Sequence, residues 1–187
     1  MPQKKVASDS GWVEISGMWS QQDLWVVPTG PTKTPVGQRW ETEDGEWVYE
    51  VIGQGEGHRL PFETWFARDT GGRDKRRGDM LWCSGLPISV VSERLVETLP
   101  TLGVTDFSTY EVDLRDLKGA PIPGYVGLLA STQRTETSEL LAGPYRVGKH
   151  GSWIYATVRV LQGLVDAGAG LVRWSPAGPG PSLRGLD

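Results

Sequence analysis

Apolar and polar positions alternate in two registers along this chain, and the clearest is helical. Between Gly85 and Phe107, Val91, Leu95, Leu99 and Leu102, with Val96 beside them, recur at spacings of four, four and three. That spacing lines one face of a helix. Ser92 is the expected N-cap, because its hydroxyl can take an otherwise unpaired N–H of the first turn, and Glu93 then sits at the positive end of the dipole. Ser89 competes one turn earlier. Pro100 lacks the N–H for a bond to the carbonyl four residues back, so the regular helix is expected to end near Leu99, with a looser turn closing at Gly103. Phe107–Arg115 then alternates Tyr110, Val112 and Leu114 with polar neighbours, the pattern of a half-buried strand.

A similar unit lies near the C-terminus. Setting Ser92 on Thr157 (157 − 92 = 65) also sets Arg94 on Arg159, Leu95 on Val160, Leu99 on Leu164, Gly103 on Gly168 and Phe107 on Val172. Any two amphipathic helices that end at glycine align in this way, so internal duplication and coincidence both stay open. The last helix is read as Trp153–Ala167, with a short strand over Leu171–Trp174.

In the first part of the chain, Gly11–Ile15 and Asp23–Val27 read as strands, and Thr29–Gly37 as a turn-rich loop. Asp44-Gly45 offers a hairpin turn between Gln38–Thr42 and Glu46–Ile52. The latter has apolar residues on both parities, as an interior strand does. Gly53–Gly57 (GQGEG) superficially suggests a phosphate loop, but no Lys-Ser/Thr follows it and a plain connection fits better. Leu60–Ala67 is read as a short helix or turn over the sheet, and Arg68–Arg77 as a solvated basic loop. Further on, Asp116–Gly119 should turn a hairpin from the strand ending at Leu114 into one spanning Ile122–Ala130.

The fold expected is therefore α+β: a Trp-rich antiparallel sheet, mainly from the first half, and two helix-Gly-strand units in the second half. Residues 11–174 are read as a single domain with a sub-domain boundary near 68–78, flanked by a flexible N-terminus (1–10) and a disordered tail (175–187). Of the nine tryptophans, Trp12, Trp19, Trp25, Trp40, Trp47 and Trp65 lie in the first third. A packed aromatic layer is the simplest use for them.

The run Gly78–Leu99 (GDMLWCSGLPISVVSERLVETL), the strand and hairpin Tyr110–Ala130, and the helix, glycine and strand around Val158–Trp174 resemble a family of small bacterial immunity proteins. In that family a Leu-Pro, Val, Ser, charged-helix motif precedes a terminal helix-Gly-strand motif. The resemblance covers roughly the second half of the chain. This sequence departs from the family in Pro100, in a short Ser131–Ser152 segment and in a Pro/Gly-rich tail. The resemblance implies a protein that neutralises one cognate toxin of a polymorphic toxin system by stoichiometric binding, with no catalysis of its own.

Composition narrows the alternatives. A net charge of −4 and a pI of about 5.3 argue against a general nucleic-acid binder and suit a basic protein partner. The lone Cys83 makes no internal disulfide, no signal peptide is recognisable, and no apolar run nears the ~20 residues that span a bilayer. A cytoplasmic, membrane-free protein without a cofactor or metal is expected. Cys83 with His58 or His150 would imitate a Cys–His pair, the basis of a small hydrolase as an alternative, but both histidines lie in glycine-flanked loops. A scaffold subunit assembling through a Trp-rich sheet is a further alternative. No catalytic residue is assigned. Glu111, Asp113 and Asp116, on or beside one hairpin, are the candidate partner-binding residues.

Overall fold

A computed structural model describes residues 10–17, 24–28, 42, 44–68, 78–81, 88–116, 118–133, 135–142 and 154–177. The chain is α+β, with eleven strands and three α-helices among these residues. In order they are β1 (Trp12–Ser16), β2 (Leu24–Pro28), α1 (Val48–Gly53), β3 (Thr64–Arg68), β4 (Met80–Leu81), β5 (Val90–Ser92), α2 (Glu93–Thr101), β6 (Phe107–Tyr110), β7 (Leu114–Arg115), β8 (Tyr125–Ala130), β9 (Leu140–Ala142), β10 (Ile154–Thr157), α3 (Val158–Asp166) and β11 (Arg173–Pro176).

The strands form two four-stranded antiparallel sheets, ordered β4-β5-β8-β6 and β9-β10-β1-β11, and a three-stranded sheet, β2-β3-β7. β3 and β7 pair in parallel. The inward faces of the two larger sheets share one core with both long helices. Val13, Ile15, Met80, Val91, Leu128, Leu140, Ile154 and Ala156 from the strands meet Leu95, Leu99, Val160, Leu161 and Leu164 from α2 and α3. A second core, built from Val48, Val51, Ile52, Leu60, Phe66, Leu81, Ile88, Val90, Leu114 and Ile122, seats α1 and β3 on the outer face of the first sheet. Alternation along each strand makes this possible: Val91 faces inward and Val90 outward.

The helix at Glu93–Thr101 starts where its cap requires. The Ser92 hydroxyl accepts the Leu95 N–H at 3.2 Å, and Thr157 does the same for Val160 at 3.3 Å in α3. Both helices close on glycines in the left-handed region, Gly103 (φ 79°) and Gly168 (φ 75°). Strands follow each of them, at Phe107 and at Arg173.

Several local readings need correction. Val48–Gly53 is a helix, not an interior hairpin strand, because Val48, Val51 and Ile52 make one buried helical face. Conversely, the expected helix or turn over Leu60–Ala67 contains strand β3, whose ladder with β2 outweighs local preference. α2 runs through Pro100 to Thr101. The strand expected over Phe107–Arg115 breaks after Tyr110, and its remainder pairs with β3 instead. The last helix begins at Val158, since Ile154–Thr157 pairs with β1. β11 extends to Pro176, and Ala177 is buried, its N–H donating to the Trp12 carbonyl at 3.0 Å. The ordered chain thus continues past the expected end at Trp174. Trp12 and Trp65 fall in different sheets, and Trp47 is exposed. The expected strand Gln38–Thr42, Cys83, His150, Trp19 and Trp40 lie outside the described residues, apart from Thr42.

Candidate functional site

A groove of about 820 Å³ opens where the segment between α1 and β3 meets the β6–β7 connection. Its apolar surface comes from Ile52, Leu60, Phe62, Phe66, Tyr110 and Val112, and its polar groups are His58, Glu63, Glu111, Asp113 and Arg115. Four of these five ionisable residues are exposed, and Arg115 is half-buried, as is Thr64, which also lines the groove.

The floor depends on one missing side chain. Tyr110 in β6 stands opposite Gly127 in β8, and a Cβ at Gly127 would lie 2.1 Å from the phenol ring. The ring therefore lies flat across the β8 backbone, a cross-strand pairing that only glycine permits. Gly55, in the turn after α1, meets the same side chain from above: its Cβ would come within 3.3 Å of Tyr110 and 3.2 Å of Leu129. Gly127→Ala should push the ring off the strand and cost about 2 kcal/mol, the usual penalty for overpacking. A thermal melt of the variant checks this, and an unchanged Tm would remove Tyr110 from its place as floor.

One wall is held by charge. Arg115 Nε donates to both carboxylate oxygens of Asp113 at 3.0 Å, and its guanidinium lies 4.8 Å from the Trp65 ring centroid. The hydrogen bond with Asp113 raises the Arg115 pKa above its ordinary value, so the guanidinium stays charged at any working pH. The Asp113 carbonyl accepts the Phe66 N–H at 2.7 Å, which fixes the β6–β7 connection against β3.

Of the three acidic residues singled out from sequence, Glu111 and Asp113 line the groove. Asp116 does not. Its Oδ1 accepts the N–H groups of Lys118 and Ala120, both at 2.8 Å, so it shapes the turn. Glu63 and Arg115 join the site from positions the sequence did not mark, and His58, marked only as a possible partner of Cys83, lines the groove instead. Glu63 lies in the segment read as packing over a sheet and Arg115 at the end of the expected strand Phe107–Arg115, where neither stood out from its polar neighbours. Among the described residues no group of three or more His, Cys, Asp or Glu side chains is placed to hold a metal ion. No helix among them is long and apolar enough to cross a membrane.

The arrangement presents three carboxylates, of Glu63, Glu111 and Asp113, against one guanidinium, over an aliphatic and aromatic floor. A lysine or arginine side chain suits such a surface, its stem on the floor and its charge at the acids. No protein-family model matches the chain, and no curated protein sequence matches it.

Proposed function

We propose that this chain is an immunity protein that neutralises a cognate bacterial toxin by stoichiometric binding, and that the groove is its contact surface. The observation that carries the reading is the convergence of Glu63, Glu111 and Asp113 on an open, apolar-floored groove. The resemblance of the second half to immunity proteins supports it. So does the net charge of −4, which favours encounter with a basic partner. Inhibition of this kind needs a rigid face with aromatic and charged anchors, and no bond is made or broken by the inhibitor.

The test is to co-express this chain with the toxin domain that this reading expects in an adjacent gene. That domain alone should arrest growth, this chain should restore it, and the pair should elute as a one-to-one complex by size-exclusion chromatography with light scattering. Self-assembly of this chain without any effect on toxicity would favour a scaffold instead. Rescue at far below equimolar amounts would point to an enzyme.

A further inference from the structure

We infer that the chain is two copies of one five-element unit fused in tandem with their first strands exchanged, and that residues 18–77 are an insertion into the first copy that builds the groove. The second part of this inference rests on the groove being the contact surface.

The unit is strand, edge strand, strand, helix, strand. In the first copy it is β1, β4, β5, α2, β6, and in the second β8, β9, β10, α3, β11. The sheets β4-β5-β8-β6 and β9-β10-β1-β11 are then equivalent position by position, except that each is completed by the other copy's first strand.

The register agrees in all three pairings. Val91 stands opposite Met80 and Val126, and its counterpart Ala156 opposite Leu140 and Val13. Thr109 faces Leu128 as Trp174 faces Ile15. A slip of one residue in any pairing would turn a buried face to solvent, so agreement in all three is not the outcome of two unrelated helices ending at glycine.

Hydrogen bonds off the ladders repeat as well. Glu93 N–H donates to the Gly124 carbonyl and Val158 N–H to that of Gly11; Val104 N–H donates to Leu99 and Ala169 N–H to Leu164. Each helix cap carries the same clamp. Ser92 Oγ donates to Asp79 and Arg94 pairs with that carboxylate; Thr157 Oγ1 donates to Glu139 and Arg159 pairs with it. The acids sit at equivalent positions, since the Asp79 carbonyl accepts the Ser92 N–H and the Glu139 carbonyl the Thr157 N–H.

The copies differ by five residues between the edge strand and the strand after it (156 − 91 = 65 against 140 − 80 = 60), and far more in the connection before the edge strand. Gly17 and Gly78, which correspond to Ala130 and Ser138, are joined by residues 18–77 in the first copy and by Ser131–Thr137 in the second. The longer connection brings α1 and β3 onto the outer face of the first sheet and contributes His58 and Glu63 to the groove. Recognition is thereby confined to one side of a near-symmetric scaffold.

Native-state hydrogen exchange on the full chain tests the fusion. With first strands exchanged, neither copy can open alone, so the core amides of α2, β8, α3 and β1 should lose protection together in the most stable unit. The β3 amides should exchange earlier. Separate opening of α2 with β8 and of α3 with β1 would overturn the exchange. A second variant replaces residues 18–77 by the segment Ser131–Thr137 and is titrated with a hexa-arginine peptide at low ionic strength beside the full chain. The expected result is a retained cooperative melt with binding weakened at least tenfold. Equal binding by both would overturn the insertion as the recognition element while leaving the immunity reading to the co-expression assay. If the grafted chain does not fold, the exchange pattern decides.

Discussion

Asp79→Ala should lower stability by about 3 kcal/mol, the cost of removing a buried carboxylate that satisfies several donors at once. Asp79 is fully buried, and its carboxylate accepts from Ser92 Oγ at 2.6 Å, from Arg94 through two nitrogens, and from the Leu171 N–H at 2.8 Å. Its own N–H donates to the Leu171 carbonyl at 2.8 Å. One side chain thus holds the cap of α2 and ties it to the approach to β11. The hydrogen bond with Asp79 raises the Arg94 pKa, so the guanidinium stays charged. Alanine would leave the Leu171 N–H and the Ser92 hydroxyl without this acceptor, each a loss of about 1–3 kcal/mol if water cannot reach them. Chemical denaturation with an unchanged m-value measures the loss. Glu139→Ala is the internal comparison: Arg94 and Arg159 are equally exposed, at 56 % and 55 %, but Glu139 is 27 % exposed where Asp79 is buried, so solvent replaces more of its interactions and about 1 kcal/mol is expected. Equal losses at the two positions would contradict the linking role of Asp79.

The second large effect is on binding. The double variant Glu63→Lys, Glu111→Lys reverses two of the three groove carboxylates and should weaken the proposed toxin complex by about 3 kcal/mol, roughly 100-fold. Both residues are exposed, so Tm should move by no more than surface substitutions usually cause. Isothermal titration of the purified pair, with a thermal melt of each variant, separates the two quantities. The loss should shrink with added salt, because the groove is open to solvent. Binding unchanged by the reversal would place the contact surface elsewhere. Asp116→Lys provides a control: its side chain closes a turn outside the groove, so it should affect stability and leave affinity alone.

Where local pattern and tertiary context agreed, the chain was legible. Leu95 and Leu99 recur at helical spacing, Ser92 stands one residue before the helix, and Gly103 follows it, so position, cap and stop of α2 were all readable. Val48–Gly53 failed because six residues of mixed parity satisfy both periods, and only packing against Leu60 and Phe66 decides between them. The break after Tyr110 was hidden for another reason. Alternation continues through Leu114, but the partner strand changes from β8 to β3, and a change of partner leaves no trace in periodicity. Glu111 and Asp113 were found because charged residues clustered beside a predicted hairpin. Glu63 was not, and His58 was marked only as a possible partner of Cys83, since both reach the groove through a segment far away in sequence.

What the residues decided unaided are the two helix units, the cap of α2, the α+β class and the acidic balance, each a property of neighbours within a few positions. Which strand completes which sheet, and that Tyr110, Glu63 and Glu111 surround one groove, came only with the folded chain. Pairing across more than a hundred residues depends on shape and register between segments, and no local window contains both partners.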